Sequence, residues 1–346
     1  SELKNIIPVD DYNQLKKIFS IEEKGNFRDG YRHKENILHI DKDSPYYNNS
    51  LIDQYRDVLF KVREKRIHPQ KDDKILTDWN GLMIAALARA AIILNNDNYK
   101  VQSIRAMDCI LDHMVRKDGG LHKRYRTDEA GLEGVIDDYA FIVWALIELY
   151  QLTFDSKYID LATQLADYQF EHFWDFENKG FYFTSDLGEK LLVRSKEYYD
   201  GAIPSGNSVS ALNYIRLGRL LSRHDYEDIA FDIINSCSKG LNKGTSYYSM
   251  LLQAVQFMNG PSYEVLVLGS NKESKELIKN IYNIYQPHMV VINGRKNDLV
   301  QSFSFVENFP NNENEDPIVY VCQNYTCFKP TNDITVIKEL LIKKNN

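Results

Sequence analysis

The sequence predicts a mainly α-helical protein whose central part is an α/α toroid, followed by a small α/β region. Three observations predict this fold. Helical segments that are apolar on nearly every face recur about every 60 to 70 residues, amphipathic helices alternate with them, and strand-like segments replace both after residue 260. We therefore expect an irregular lead-in with one or two helices at 1–70, toroid hairpins at 71–260 and an α/β region at 261–346.

The composition is that of an ordinary globular protein, since 43% of the 346 residues are hydrophobic and 26% are charged. The net charge of -7 argues against a nucleic-acid partner, which needs a basic surface. Four cysteines are too few for a disulfide framework and we find no apolar signal segment, so we expect a cytoplasmic protein. We expect no membrane span, because the most apolar helix is short, rich in alanine and interrupted by Arg89.

The lead-in and the first toroid cycle can be read from their periodicity. Residues 11–19 suit a short helix, and residues 50–66 have the spacing of an amphipathic helix. An acidic loop then precedes an inner helix at 79–94 and an outer helix at 99–116 with a single apolar stripe. A glycine turn and a short strand at 121–126 complete the cycle.

The same order of landmarks returns in two further cycles. The second has an inner helix at 139–149 and an outer helix at 157–173, and the third has helices at 208–221 and 225–237. Residues 247–258 suit a fourth inner helix. We favour a toroid over an open solenoid, because the inner helices of a solenoid usually keep one face exposed to solvent, whereas these are apolar on nearly every face. In a toroid the inner helices run in the same direction, so the acidic loops ahead of them should meet on one face.

The α/β region is predicted from three short apolar runs and two helical segments. The runs, at 263–268, 288–292 and 317–322, suit buried strands, and the helices lie at 272–285 and 331–343.

Four separated stretches resemble one known family: DDKILTDWNGLMIAALARA, IDDYAFIVWALIELYQLT, DGAIPSGNSVSALNYIRL and VCQNYTCFKP. In this order they resemble the spermatogenesis-associated protein 20 family, which is the thioredoxin-domain-containing, domain-of-unknown-function 255 group. The resemblance implies a six-hairpin glycosidase-like toroid, related in fold to N-acylglucosamine 2-epimerases. It also implies an N-terminal thioredoxin-like domain and first toroid hairpins that are absent here. We therefore expect a toroid incomplete at its N-terminus, with the thioredoxin-like domain of the full-length protein as a partner.

Acidic residues ahead of the inner helices are the candidate catalytic groups. Asp73, Asp138 and Asp200 should meet at the mouth of the toroid, and cleavage of a glycosidic bond requires two carboxyl groups across a cavity. Asp138 and Asp200 are the chosen pair, and Asp137 could raise the pKa of Asp138 by like-charge repulsion. Each aspartate can equally be explained as a helix cap, since such positions favour an acceptor of orphan N–H groups.

Other candidates follow from the same expected mouth. His122 could transfer a proton and Arg124 could orient a hydroxyl or carboxylate, although both could belong to a surface hairpin. Polar and aromatic side chains near the inner helices are the predicted substrate-binding residues, with packing as the alternative: Trp79, Asn80, Tyr139 and Asn207.

No metal site and no cofactor are expected. Cys322 and Cys327 lack a second Cys/His pair, so packing or a reversible disulfide is favoured over zinc. Ser205 lies outside any nucleophile motif and is read as part of a turn that caps the third inner helix. The leading hypothesis is a toroid acting on a carbohydrate or another small molecule, as a sugar epimerase or a glycoside hydrolase. The alternative is a non-catalytic scaffold serving the thioredoxin-like domain, with a filled cavity and an exposed apolar patch.

Overall fold

The structure, a computed structural model, describes residues 2–27, 35–47, 49–241, 244–310, 316–323 and 325–342. The chain divides into two compact units, Ser1–Asp72 and Asp73–Asn346.

The first unit is a small helical lead-in. It contains a 3-10 helix at Glu2–Asn5, α1 at Val9–Ile18 and α2 at Ser50–Arg63. The Asn49 side chain accepts a hydrogen bond from the backbone N–H of Leu51 and so caps α2. Both helices predicted for this part of the chain are present.

The second unit begins with three helical hairpins and one further helix. Their bounds are α3 at Thr77–Leu94, α4 at Asp97–His113, α5 at Ile136–Thr153, α6 at Lys157–Phe173, α7 at Gly206–Leu221, α8 at His224–Ser236, α9 at Ser238–Leu241 and, after a 3-10 turn at Thr245–Tyr248, α10 at Ser249–Asn259. The inner helices α3, α5, α7 and α10 pack side by side in that order, while α4, α6 and α8 return outside them. The mainly α, toroid-type fold expected from the repeat is confirmed.

Burial differs between the inner helices according to the number of their neighbours. Helices α5 and α7 lie between other inner helices, and nearly all their residues are buried. Helix α3 packs on α4 and α5 but leaves one flank exposed, with Trp79, Met83 and Ile93 on it. A helix apolar on nearly every face should be buried all round. Helix α3 is not, because α5 is the one inner helix of the described chain against which it packs extensively.

Helix α3 is also the one helix of the described chain that is long and apolar enough to cross a membrane, although 39% of it is buried inside the protein. Core helices of soluble proteins pass the same criterion, so this is weak support for a membrane span.

A small antiparallel sheet lies beside the start of α3. Its strands are β1 at Ile75–Leu76, β2 at His122–Arg126 and β3 at Glu129–Glu133, in the order β1-β2-β3. Leu76 pairs with Arg124, so the sheet places β2 directly beside the N-terminus of α3.

The C-terminal part is an α/β region packed on the hairpins. Its elements are β4 at Tyr263–Leu268, α11 at Lys272–Tyr282, β5 at Met289–Gly294, α12 at Lys296–Leu299, a 3-10 helix at Ser304–Asn308, β6 at Ile318–Gln323, β7 at Thr326–Cys327 and α13 at Ile334–Ile342. The sheet order is β5-β4-β6-β7, with β4 and β5 parallel and the other pairs antiparallel.

One buried side chain ties the two parts of this unit together. Gln151, near the end of α5, donates to the carbonyl of Val291 at 2.8 Å and accepts from its N–H at 3.0 Å. The sheet therefore lies at the C-terminal ends of the inner helices. At its far edge, Cys322 and Cys327 are opposite each other on β6 and β7 and form a disulfide.

Candidate functional site

The N-termini of the inner helices meet on one face, and aspartates there cap neighbouring helices. Asp138, which is fully buried at the start of α5, accepts from the N–H of Asp78 in α3 at 2.9 Å. It also accepts from the N–H of Val135 at 2.8 Å and from Lys123 Nζ at 3.2 Å. Because α3 and α5 begin side by side, they run in the same direction.

Two more carboxylates repeat the arrangement around the mouth. Asp137 accepts a hydrogen bond from the backbone N–H of Gly206, the first residue of α7. Asp200 accepts from Ser205 N at 2.9 Å and, on its second oxygen, from Met250 N at 2.8 Å at the start of α10. Parallel helices place their positive ends together, and these carboxylates offset that charge.

Burial dominates the electrostatics of the mouth. It raises the pKa of Asp138 to about 7, with Lys123 opposing the rise and the charge of Asp78 adding to it. Burial likewise raises the pKa of Asp137 to about 6. The rise for Asp138 was expected, but burial rather than the neighbouring Asp137 is its main cause.

The remaining predicted catalytic residues lie on or near the small sheet. Asp73 is exposed and pairs with Arg126 at 2.6 Å. His122 is half-buried on β2, with Nδ1 3.3 Å from the carbonyl oxygen of Leu132, and Arg124 is half-buried on the same strand.

The predicted substrate-binding residues have different environments. Trp79 is 61% exposed, and the Asn80 side chain donates to the carbonyl of Leu76 at 2.8 Å. Tyr139 is fully buried, and its hydroxyl accepts from the N–H of Leu121 at 2.8 Å. Asn207 is also fully buried and bonds both the N–H and the carbonyl of Phe181 at 2.8 Å.

A cavity of about 810 Å³ lies elsewhere, between the four inner helices and the loop that leads into β5. Its polar and aromatic lining residues are Arg89, Trp144, Glu148, Arg216, Gln253, Gln256, Phe257, Asn259, Tyr285 and His288. The walls between them are mainly apolar and include Leu82, Ala86 and Leu212. Within the described chain, none of the sequence-predicted site residues lines this cavity.

The cavity contains a charge cluster, Arg89–Glu148–Arg216, in which the Glu148 and Arg216 side chains are buried and the Arg89 side chain is 43% exposed. Glu148 Oε1 accepts from Arg216 Nη1 at 2.7 Å and from Trp144 Nε1 at 3.1 Å. Arg89 Nη1 lies 3.6 Å from Glu148 Oε2. Burial would raise the pKa of Glu148, but the charges of Arg216 and Arg89 outweigh it and lower the pKa, so the carboxylate is ionised at neutral pH.

The positions of the three charged residues within their helices are a sequence signal for this cluster, and the expectations above do not include it. Arg89, Glu148 and Arg216 lie twelve, twelve and ten residues after the first residue of α3, α5 and α7. Opposite charges at similar depth in neighbouring parallel helices are expected to pair, because a lone buried charge is costly. The described residues contain no group of three or more His, Cys, Asp or Glu that could hold a metal ion.

Parallel inner helices, with outer helices that return outside them, define an α/α-toroid type of fold. No family model matches the chain. The resemblance to the spermatogenesis-associated protein 20 family is confirmed by curated relatives of that name. The chain is 27% identical to the rat protein over 94% of its own length and 45% of the rat protein, and 27% identical to the human protein over 84% and 39%. It thus spans less than half of these relatives.

Solved structures with a similar fold include two sugar-processing enzymes. Cellobiose 2-epimerase from Bacillus thermoamylovorans aligns with a TM-score of 0.42 and 16% identity, covering 54% of this chain and 55% of the enzyme. The GH76 α-mannanase BT2949 from Bacteroides thetaiotaomicron aligns with a TM-score of 0.39 and 15% identity, covering 62% and 69%.

Proposed function

We propose that the toroid binds a saccharide in the cavity between its inner helices. One observation carries the proposal: a cavity of about 810 Å³ that holds buried charged groups beside apolar walls. That volume is in the usual range for small-molecule sites, roughly 300 to 1,000 Å³.

The lining suits a ligand that has both apolar faces and hydroxyl groups, as a sugar ring does. The Trp144 ring is half-buried, and its N–H is fixed on Glu148, so the ring is held in one orientation against the cavity. Gln253 and Gln256 stand exposed at the opening on α10, where their amides can both donate to and accept from hydroxyls.

Within such a site, the residues favour proton transfer over hydrolysis. Glycoside hydrolysis usually needs two carboxyl groups across the bond, and Glu148 is the one carboxylate among the described lining residues. Burial lowers the pKa of His288, so its imidazole is neutral at pH 7 and can accept a proton. A sugar epimerase is therefore the form of the proposal that this lining supports best. Catalysis by Asp138 and Asp200 stays a prediction, and both carboxylates already act as caps.

Blocking the cavity tests the proposal. Ala86 lines the cavity and is exposed, so Ala86→Trp fills it without displacing the core. Met83, on the same helix, is exposed and is not a lining residue, so Met83→Trp is the matched control. Calorimetry against a panel of neutral and acidic mono- and disaccharides should show binding to the wild type and to Met83→Trp, and none to Ala86→Trp. Equal binding by both variants would contradict the proposal.

A non-catalytic scaffold is the second candidate, favoured by the exposed apolar flank of α3 that includes Trp79, Met83 and Ile93. In this version the flank contacts another part of the full-length protein, such as the thioredoxin-like domain that the family resemblance implies. No binding of any saccharide to the wild type would favour this candidate.

A further inference from the structure

The charge cluster in the cavity has an excess of positive charge. Both guanidinium groups stay protonated in proteins, and the lowered pKa of Glu148 keeps its carboxylate ionised. Arg89, Glu148 and Arg216 together therefore carry a net charge of +1.

The other polar groups that face the cavity leave this charge uncompensated. Gln253, Gln256 and Asn259 are neutral amides on α10. The pKa of His288 is lowered by burial, so its ring is neutral as well. Among the described lining residues, the cation excess is thus the only net charge.

Both arginines have N–H donors for which the described part of the chain supplies no acceptor. Each guanidinium has five donors; Arg216 uses Nη1 on Glu148, and Arg89 makes one longer ion pair at 3.6 Å. Glu148 Oε2 is buried beneath the Arg89 guanidinium and is closed to the cavity. The cluster therefore presents cationic donors to the cavity, while its carboxylate is enclosed.

We infer that the ligand of this cavity is an acidic sugar, such as a uronic acid, whose carboxylate binds Arg89 and Arg216. The inference rests on the proposed saccharide function and specifies its substrate class. Arginine forms paired, charge-assisted hydrogen bonds with carboxylates, and these are stronger than bonds to neutral hydroxyls.

Matched sugar pairs test the inference. Calorimetry would compare glucose with glucuronate, galactose with galacturonate and mannose with mannuronate, each at low and high salt. The acidic member should bind roughly tenfold or more tighter than its neutral partner at low salt. Added salt should narrow that gap, because it screens the charges.

Two substitutions with opposite effects sharpen the test. Arg89→Gln should weaken binding of the acidic member much more than binding of the neutral member, and Arg89→Lys should restore part of the preference. Glu148→Gln should tighten binding of the acidic member, because it removes the competing negative charge. The control is Arg105→Gln, since Arg105 is exposed on α4.

The outcomes separate this inference from the function on which it rests. Equal affinity for the two members of each pair, or an equal loss for both in Arg89→Gln, overturns the acidic-sugar inference while the saccharide function stands. Absence of binding by all six sugars overturns the inference. If no member of the wider panel of mono- and disaccharides binds either, that result overturns the saccharide function as well.

Discussion

At the scale of the residue, the positions of the aspartates ahead of the inner helices were predictable from the sequence, but their hydrogen-bond partners were not. Their place at helix starts, and therefore on one face, followed from the repeat. The sequence could not show that Asp138 and Asp200 accept hydrogen bonds from helices other than their own, because the packing distance between parallel helices decides this. Capping was one of the two explanations available, and the geometry gives Asp138 and Asp200 that role, whereas the exposed Asp73 pairs with Arg126.

The cap made by Asp200 can be measured directly. Asp200→Asn keeps one acceptor oxygen but loses the second, which receives the N–H groups of Met250 and Leu251. We expect a loss of about 1 to 3 kcal/mol in the free energy of unfolding, measured by denaturant titration. Asp228→Asn on the exposed face of α8 is the control and should change it by less than about 0.5 kcal/mol. Equal effects of the two variants would contradict the capping role.

The buried pair at the start of α5 predicts a pH dependence. The folded pKa values of Asp137 and Asp138, about 6 and 7, lie above the ordinary value of 3.8. Between about pH 4 and 7 the folded state therefore binds more protons than the unfolded state, so the free energy of unfolding falls as pH rises. The slope is at most about 1.4 kcal/mol per pH unit for each carboxyl. Asp138→Asn should flatten this slope, and Asp228→Asn should not. An unchanged slope in Asp138→Asn would show that Asp138 does not titrate in this range.

At the scale of the element, periodicity predicted the hairpins because each inner helix is apolar enough to be recognised alone. What it could not predict was the closeness of their contact. A Cβ added to Gly81 in α3 would lie 2.8 Å from the backbone carbon of Phe141 in α5, so the two helix backbones nearly touch there. The exposed flank of α3 was also unpredictable, since it depends on the number of neighbouring inner helices.

Gly81→Ala tests the close contact between α3 and α5. Alanine forms helices better than glycine by about 1 kcal/mol. The added methyl group would, however, meet the backbone of α5, which cannot move aside as a flexible side chain can. We expect a net destabilisation of about 1 to 3 kcal/mol in thermal or denaturant unfolding. Met83→Ala on the exposed face of the same helix should be nearly neutral. A stabilised Gly81→Ala variant would mean that the helices are farther apart than described.

At the scale of the whole molecule, the arrangement separates two ends of the inner helices. The N-terminal end is held together by carboxylate caps, and the cavity with its charge cluster lies towards the C-terminal end, beside the α/β region. The sequence predicted the direction of the helices and a cavity between them, but it placed the candidate site at the mouth. Acidic loops are conspicuous in a sequence, whereas Arg89, Glu148 and Arg216 lie far apart in it, inside three separate helices.

One measurement compares the two ends directly: the affinity of the wild type, Ala86→Trp and Asp200→Asn for the same saccharide, by calorimetry at a temperature where all three are folded. The account predicts that Ala86→Trp loses binding, while Asp200→Asn is less stable but binds within about twofold of the wild type. Loss of binding in Asp200→Asn, with Ala86→Trp binding normally, would contradict it and locate the ligand at the mouth.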